Sequence, residues 1–189
     1  MMSFVSACSV FSPVKIATPE KYLLKEVPYV EKHQTHPITI AIAPVKGEPL
    51  YDRMEMAYAT SPYSIDYFTK SEWAESPSKM VQVLLEKSLN NSHYFHGVIT
   101  LPSYARYHYL LNTEIIDLKQ LFVTNGSYYQ IKVKVDLIDA RNARLIASKT
   151  FTTKRSAHEN NARGGVIAAN HAMADVLRKI TRFCIQHLN

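Results

Sequence analysis

The residues able to do chemistry are dispersed along the chain. His33/His36 and His93/His96 each stand three apart. On a helix that spacing puts two imidazoles on one face, where they can share a metal ion. Both pairs fall in expected loops, with no third or fourth ligand nearby, so no metal site is expected. Glu72 and Glu75 pair two carboxylates, the groups of general acid–base work. They flank an expected helix start, where negative charge offsets the helix dipole instead. Gly164-Gly165 has the look of a phosphate-binding turn, but no GxGxxG or GxxxxGK[ST] pattern surrounds it. A flexible helix entry is the expected role. GxSxG and HExxH are absent as well. No catalytic residue, cofactor or metal is expected, and the chain reads as a non-enzyme.

What remains is contact chemistry. It gathers in residues 38–76, and within them in residues 50–67. Tyr51, Arg53, Tyr58, Tyr63 and Tyr67 combine aromatic area with a guanidinium, the side chains that most often anchor interfaces. The competing reading is an edge hairpin whose tyrosines pack on their own sheet.

The two cysteines are Cys8 and Cys184. Their spacing matches no metal motif, and a disulfide would tie a tail to the last helix. Val5-Ser6-Ala7-Cys8 has the form of a lipobox: an apolar residue, two small residues, then the cysteine whose thiol takes a diacylglycerol. Only seven residues precede Cys8, none of them Lys or Arg, whereas a signal needs a basic start and an apolar run of about 7–15 residues. Residues 1–8 are therefore read as a truncated lipoprotein signal ending in Cys8.

These residues need a scaffold. With 189 residues and 47% apolar content, the chain supports one core plus tails. The net charge of +6 is spread along the sequence without a basic run, and no nucleic-acid module is present, so no nucleic acid is expected as partner. No stretch of about 20 apolar residues offers a transmembrane helix. Residues 9–37, punctuated by Pro13, Pro19, Pro28 and Pro37, read as a flexible tether with one short strand near Lys21-Tyr22-Leu23-Leu24. Residues 38–189 read as the folded domain.

Within it, Ile38, Ile40 and Ile42 alternate as a buried strand. Residues 54–59 and 63–68 read as two strands, or one bent strand, broken at Ser61-Pro62. A helix is expected over residues 72–91, with Ser76 before Pro77 as its alternative N-cap and Trp73 plugging a helix–sheet seam. A short strand over 97–100 follows. Residues 107–118 alternate with Tyr107, Tyr109, Leu111, Thr113 and Ile115 on one face. Asn125-Gly126 then turns the chain into residues 127–138, where Tyr129, Ile131, Val133, Val135 and Leu137 face in. Residues 145–154 complete the meander. A last helix covers 162–187. The fold class expected is α/β: a mixed, largely antiparallel sheet with two main helices packed on one face.

Several short strings in this order resemble the ABC-type transport auxiliary lipoprotein family. They are Ile42-Ala43-Pro44-Val45, Leu50-Tyr51-Asp52-Arg53, Tyr58-Ala59-Thr60-Ser61-Pro62-Tyr63, and Trp73-Ala74-Glu75 leading into a helix with Leu84-Leu85. The resemblance covers residues 38–187. It implies a lipid-anchored periplasmic domain that accompanies an MCE-domain (mammalian-cell-entry) protein and an ABC transporter moving phospholipid or other hydrophobic molecules between membranes. Its implied partners are those MCE and ABC subunits and the membrane; some relatives form a ring, so a homo-oligomer is also implied. Ser9 rather than Asp follows Cys8, which by the sorting rule of enteric bacteria points to the outer membrane. The alternative function is an envelope-assembly or secretion lipoprotein with a similar domain.

Overall fold

The computed structural model describes residues 18–188. Among them nine strands form one open sheet: β1 (Glu20–Tyr22), β2 (His36–Ile42), β3 (Lys46–Gly47), β4 (Glu55–Ala59), β5 (Asp66–Trp73), β6 (Phe95–Thr100), β7 (Tyr109–Val123), β8 (Gly126–Asp139) and β9 (Arg144–Ala157). Two helices complete it, α1 (Pro77–Asn91) and α2 (Ala162–His187).

Strand β7 is the spine. Along one edge it pairs antiparallel with β8, from Tyr109↔Asp139 to Val123↔Gly126, and β8 pairs in turn with β9. Its other edge takes three short parallel partners in succession. Residues 109–111 meet β2, Glu114 and Ile115 meet β3, and Gln120 and Leu121 meet β4. Strand β6 extends the sheet beyond β2, while β5 and then β1 extend it beyond β4. The long ladders are antiparallel and the short crossovers parallel, which makes the sheet mixed, as expected.

Alternation builds the core. Tyr129, Ile131, Val133, Val135 and Leu137 of β8 are all fully buried, and α2 packs over β8 and β9. Each such side chain contributes about 1.5–3 kcal/mol by leaving water. Ser88 of α1 and Thr181 of α2 share a buried 2.8 Å hydrogen bond that ties the helices together. Trp73 ends β5 fully buried, its ring edge-on to Tyr129 at 6.5 Å, so it plugs the seam as expected. The helix α1 starts at Pro77 with Ser76 as N-cap, five residues after Glu72. Glu72 lies in β5 and pairs with Lys21 at 3.4 Å, so only Glu75 stays at the helix entry, accepting from the Ser76 N–H.

Several expectations change. Strand β7 begins at Tyr109 rather than Tyr107 and runs on to Val123. A bulge between Ile115 and Asp117 resets its alternation, so Leu118 and Gln120 are buried beyond it. The tether expected over 9–37 overlaps the folded body: β1 pairs parallel with β5, and Leu24 and Val30 are buried. Asn170 of α2 holds this leader by accepting from the Lys25 and Glu26 N–H groups and donating to the Leu23 carbonyl. The part of the tether before residue 18, like Cys8 and the lipobox, lies outside the described residues.

The Gly164-Gly165 pair is neither a phosphate turn nor a loose hinge. A Cβ on Gly164 would lie 2.2 Å from the Glu159 carbonyl oxygen, and one on Gly165 would lie 2.0 Å from Gln120 Oε1. Gly165 lets the start of α2 press onto β7, and Gly164 lets it fold tightly against the loop that enters it, with Asn161 accepting the Gly164 N–H as cap. His36 and His96 stand in strands rather than loops, and His36 stacks on Tyr94 at 4.4 Å. Among the described residues no three His, Cys, Asp or Glu side chains gather as metal ligands. No helix among them is long and apolar enough to cross a membrane.

Candidate functional site

The contact segment, residues 50–67, joins β3 to β5 around β4. Its first turn is fixed from below. Gly47 lacks the Cβ that would collide with Asp52 Cβ at 2.6 Å, and Asp52 in turn accepts the backbone N–H of Ser78 at 2.8 Å. The loop is thereby fastened to the start of α1. Tyr51 follows from that anchor. It lies half-buried, with Lys119 Nζ donating to its hydroxyl at 3.0 Å and standing 5.2 Å from its ring centre. Burial disfavours the Lys119 charge, but Tyr51 and Asp117 outweigh it and the ammonium's pKa is raised.

Arg53 is exposed yet held. Its guanidinium donates to both carboxylate oxygens of Glu55, at 3.0 and 2.8 Å, and lies 4.4 Å over the Tyr67 ring. The Arg53 hydrogen bonds pull the Glu55 carboxyl down to about 2. Tyr67 donates its hydroxyl to the Leu50 carbonyl at 3.1 Å, closing the loop on itself. Tyr58 donates to Asp66 Oδ2 at 3.1 Å, and this bond raises the phenol's pKa. Its ring packs against Phe68 at 4.8 Å and Phe122 at 5.7 Å.

Tyr63 differs from the other four. It sits at the tip between β4 and β5, after Pro62, in a turn held by the Ser61 and Ser64 hydroxyls 2.9 Å apart. Its side chain is fully exposed, at 101%. The tip of the β7–β8 hairpin lies beside it, with Val123 also exposed. Two grooves flank Phe122 there. One, about 430 Å³, is lined by Tyr58, Asp66, Phe68 and Phe122. The other, about 660 Å³, is lined by Pro62, Lys119, Leu121, Val123 and Tyr128.

The structure thus brings Arg53 and Tyr67 together, sets Tyr51 on Lys119 and Tyr58 on Asp66, and leaves Tyr63 free at the tip. Sequence reasoning missed the β7 side of this end, Lys119, Leu121, Phe122 and Val123. A signal was present. Leu121-Phe122-Val123 is an unbroken apolar run just before the Asn-Gly turn, where an alternating strand would show a polar residue. Cys184 is a free, fully buried thiol in α2, and burial pushes its pKa up to about 12, so it is inert.

No curated protein sequence matches the chain. Among solved structures, protein XCC0632 from Xanthomonas campestris superposes with a TM-score of 0.80 at 16% identity, over 90% of this chain and 96% of that one. A second, described as an uncharacterized protein, gives 0.69 at 14% identity, over 88% and 99%. At these identities the likeness shows the fold alone. The family model of the ABC-type transport auxiliary lipoprotein component matches residues 22–181, from the leader strand to the far half of α2. On that match the chain belongs to the ABC-type transport auxiliary lipoprotein family.

Proposed function

We propose that this protein is a non-enzymatic accessory lipoprotein of an MCE-type ABC transport system, moving phospholipid or other hydrophobic molecules between membranes. The observation that carries the reading is the family match over residues 22–181. Cys8 supplies the lipid anchor, in the periplasm and at the outer membrane. The ABC subunits hydrolyse ATP and the MCE-domain protein forms the conduit. The auxiliary chain docks to that conduit through residues 50–67.

Within that segment the residues divide by task. Tyr51, Arg53, Tyr58 and Tyr67 stiffen the end of the sheet through their own contacts. Tyr63 and Val123 present apolar area to the partner. The Ser61–Ser64 bond holds the turn that carries Tyr63, and a tyrosine ring with two side-chain torsions offers large contact area at low entropy cost, which suits it to an anchoring role.

The test is recovery of the tagged, full-length protein from envelope extracts, with its companions identified by mass spectrometry. MCE-domain and ABC subunits are expected. Recovery without either would sink the reading. Palmitate labelling at Cys8 checks the anchor separately, and an unlabelled chain would remove that part of the proposal.

A further inference from the structure

Strand β9 is 14 residues long, Arg144–Ala157, and among the described residues it pairs only with β8. At about 3.4 Å per residue its open edge runs roughly 48 Å. Beyond the ladder to β8, no backbone group of residues 145–157 bonds to any other element among the described residues. Its one register shift lies at Leu137/Ile138, near the strand start, so residues 147–157 run regularly and contain no proline. Such an edge is a template for another strand unless something forbids pairing.

The charges on β9 decide what is forbidden. It carries Arg144, Lys149, Lys154 and Arg155 and no acidic residue. Arg155 is taken by Asp175, its Nε 2.6 Å from Oδ2. Lys149 and Lys154 are exposed and have no carboxylate within ion-pair distance among the described residues. Each instead stands near a ring, Lys149 5.4 Å from Phe151 and Lys154 4.8 Å from Tyr128. Register puts them on opposite faces. Lys149 pairs with buried Val135 on the helix side, and Lys154 with Gln130 on the open side. Two copies joined edge to edge through β9 would gather these lysines with no acid to answer them.

We propose that the β9 edge captures an extended acidic segment as an added strand, one with two acidic residues five positions apart. An odd spacing places one carboxylate on each face, one opposite Lys149 and the other opposite Lys154. Main-chain hydrogen bonds supply the affinity and the two ion pairs supply the selectivity. The same lysines that keep β9 from pairing with itself choose this partner. The inference rests on β9 alone and stands apart from docking through residues 50–67.

The test uses the full chain and three 12-residue peptides of β-branched and polar residues. One carries glutamates five apart, one carries them four apart, and one carries lysines five apart. The readouts are peptide anisotropy and amide exchange along β9. The first peptide is expected to slow β9 exchange and to bind about tenfold more tightly than the second. A K149E/K154E double variant is expected to prefer the lysine peptide. Equal binding of all three peptides, or of none, overturns the proposal. So does β9 protection that grows with protein concentration in the absence of peptide, which would mean self-pairing.

Discussion

The carboxylate of Asp52 accepts the backbone N–H of Ser78 at 2.8 Å, and so caps a helix from 26 residues away. Ser76 occupies the N-cap position of α1 without making a side-chain cap bond, and the first turn holds no acidic residue. A carboxylate supplied from the 50–67 loop serves both needs, satisfying an orphan donor and facing the positive helix end. The contact loop and the helix are thereby one unit. Asp52→Ala is expected to cost about 0.5–2 kcal/mol, and Asp52→Asn much less, because an amide oxygen caps nearly as well. Urea unfolding of the two variants checks this through a lowered midpoint with an unchanged slope.

The two glycines at the start of α2 should fail in different ways. Gly165→Ala drives a methyl toward Gln120 Oε1, the end of a side chain whose amide donates to Ser127 and to the Asn161 carbonyl. The overpacking is expected to cost about 1–3 kcal/mol. Adding Gln120→Ala should relieve part of it, giving a double variant more stable than the sum of the two singles. Gly164→Ala meets the Glu159 backbone carbonyl, which no side-chain truncation can move, so its cost should remain in any such background. Thermal unfolding of wild type, the three single variants and the two Gln120→Ala double variants measures the difference.

Much of this architecture was legible because it is local. Asn125-Gly126 between two alternating runs is a hairpin signal, and β7 and β8 join there. Helix α2 follows from the spacing of Val166, Ala169, Met173, Val176 and Ile180, all buried. What escaped depends on distant partners. Leu23, Lys25 and Glu26 look like tether residues until Asn170, about 145 positions away, satisfies their backbone. A bulge leaves no mark in composition, so the β7 alternation could not be followed past Ile115. In the contact segment the residue types were visible but their roles were not. Tyr58 and Tyr63 are the same residue, yet only a neighbouring strand bearing Phe122 makes one a wall and leaves the other a tip.

The leader contact has its own test. Asn170→Ala leaves the Leu23 carbonyl and the Lys25 and Glu26 N–H groups without their partner. Asn170 is buried and its bonds to the leader are part-buried, so leaving these groups unsatisfied is expected to cost about 1–3 kcal/mol. Amide exchange at Lys25 and Glu26 should quicken in the variant, while β8 amides stay protected. Unchanged exchange at Lys25 and Glu26 would mean that Leu24 burial alone holds the segment.

Acid should loosen the contact loop through Glu55. Arg53 lowers the folded-state carboxyl from its ordinary 4.5 to about 2. A depressed folded pKa stabilises above the unfolded value, so the contribution is complete above about pH 4.5 and is lost as pH falls toward 2. Both groups are solvent-exposed, so the effect on global stability is small and weakens with salt. A carboxyl-detected NMR titration should place the Glu55 midpoint near 2 and show it rising toward 4.5 in Arg53→Gln.

The decisive contrast for docking is between Tyr63 and Tyr58. Tyr63 is fully exposed, so Tyr63→Ser should change stability by less than about 0.5 kcal/mol. Tyr58 contacts Phe68, Phe122 and Asp66, so Tyr58→Ala should unfold at clearly lower denaturant. If the tip meets the transport machinery, Tyr63→Ser loses companions in envelope pull-downs while keeping its fold, because an anchor contributes to the complex and not to the monomer. A Val123→Ser variant should behave in the same way, being exposed on the adjoining hairpin. Full recovery of companions by both variants would move the docking surface elsewhere on the sheet and leave the aromatic cluster around Phe122 a purely structural feature.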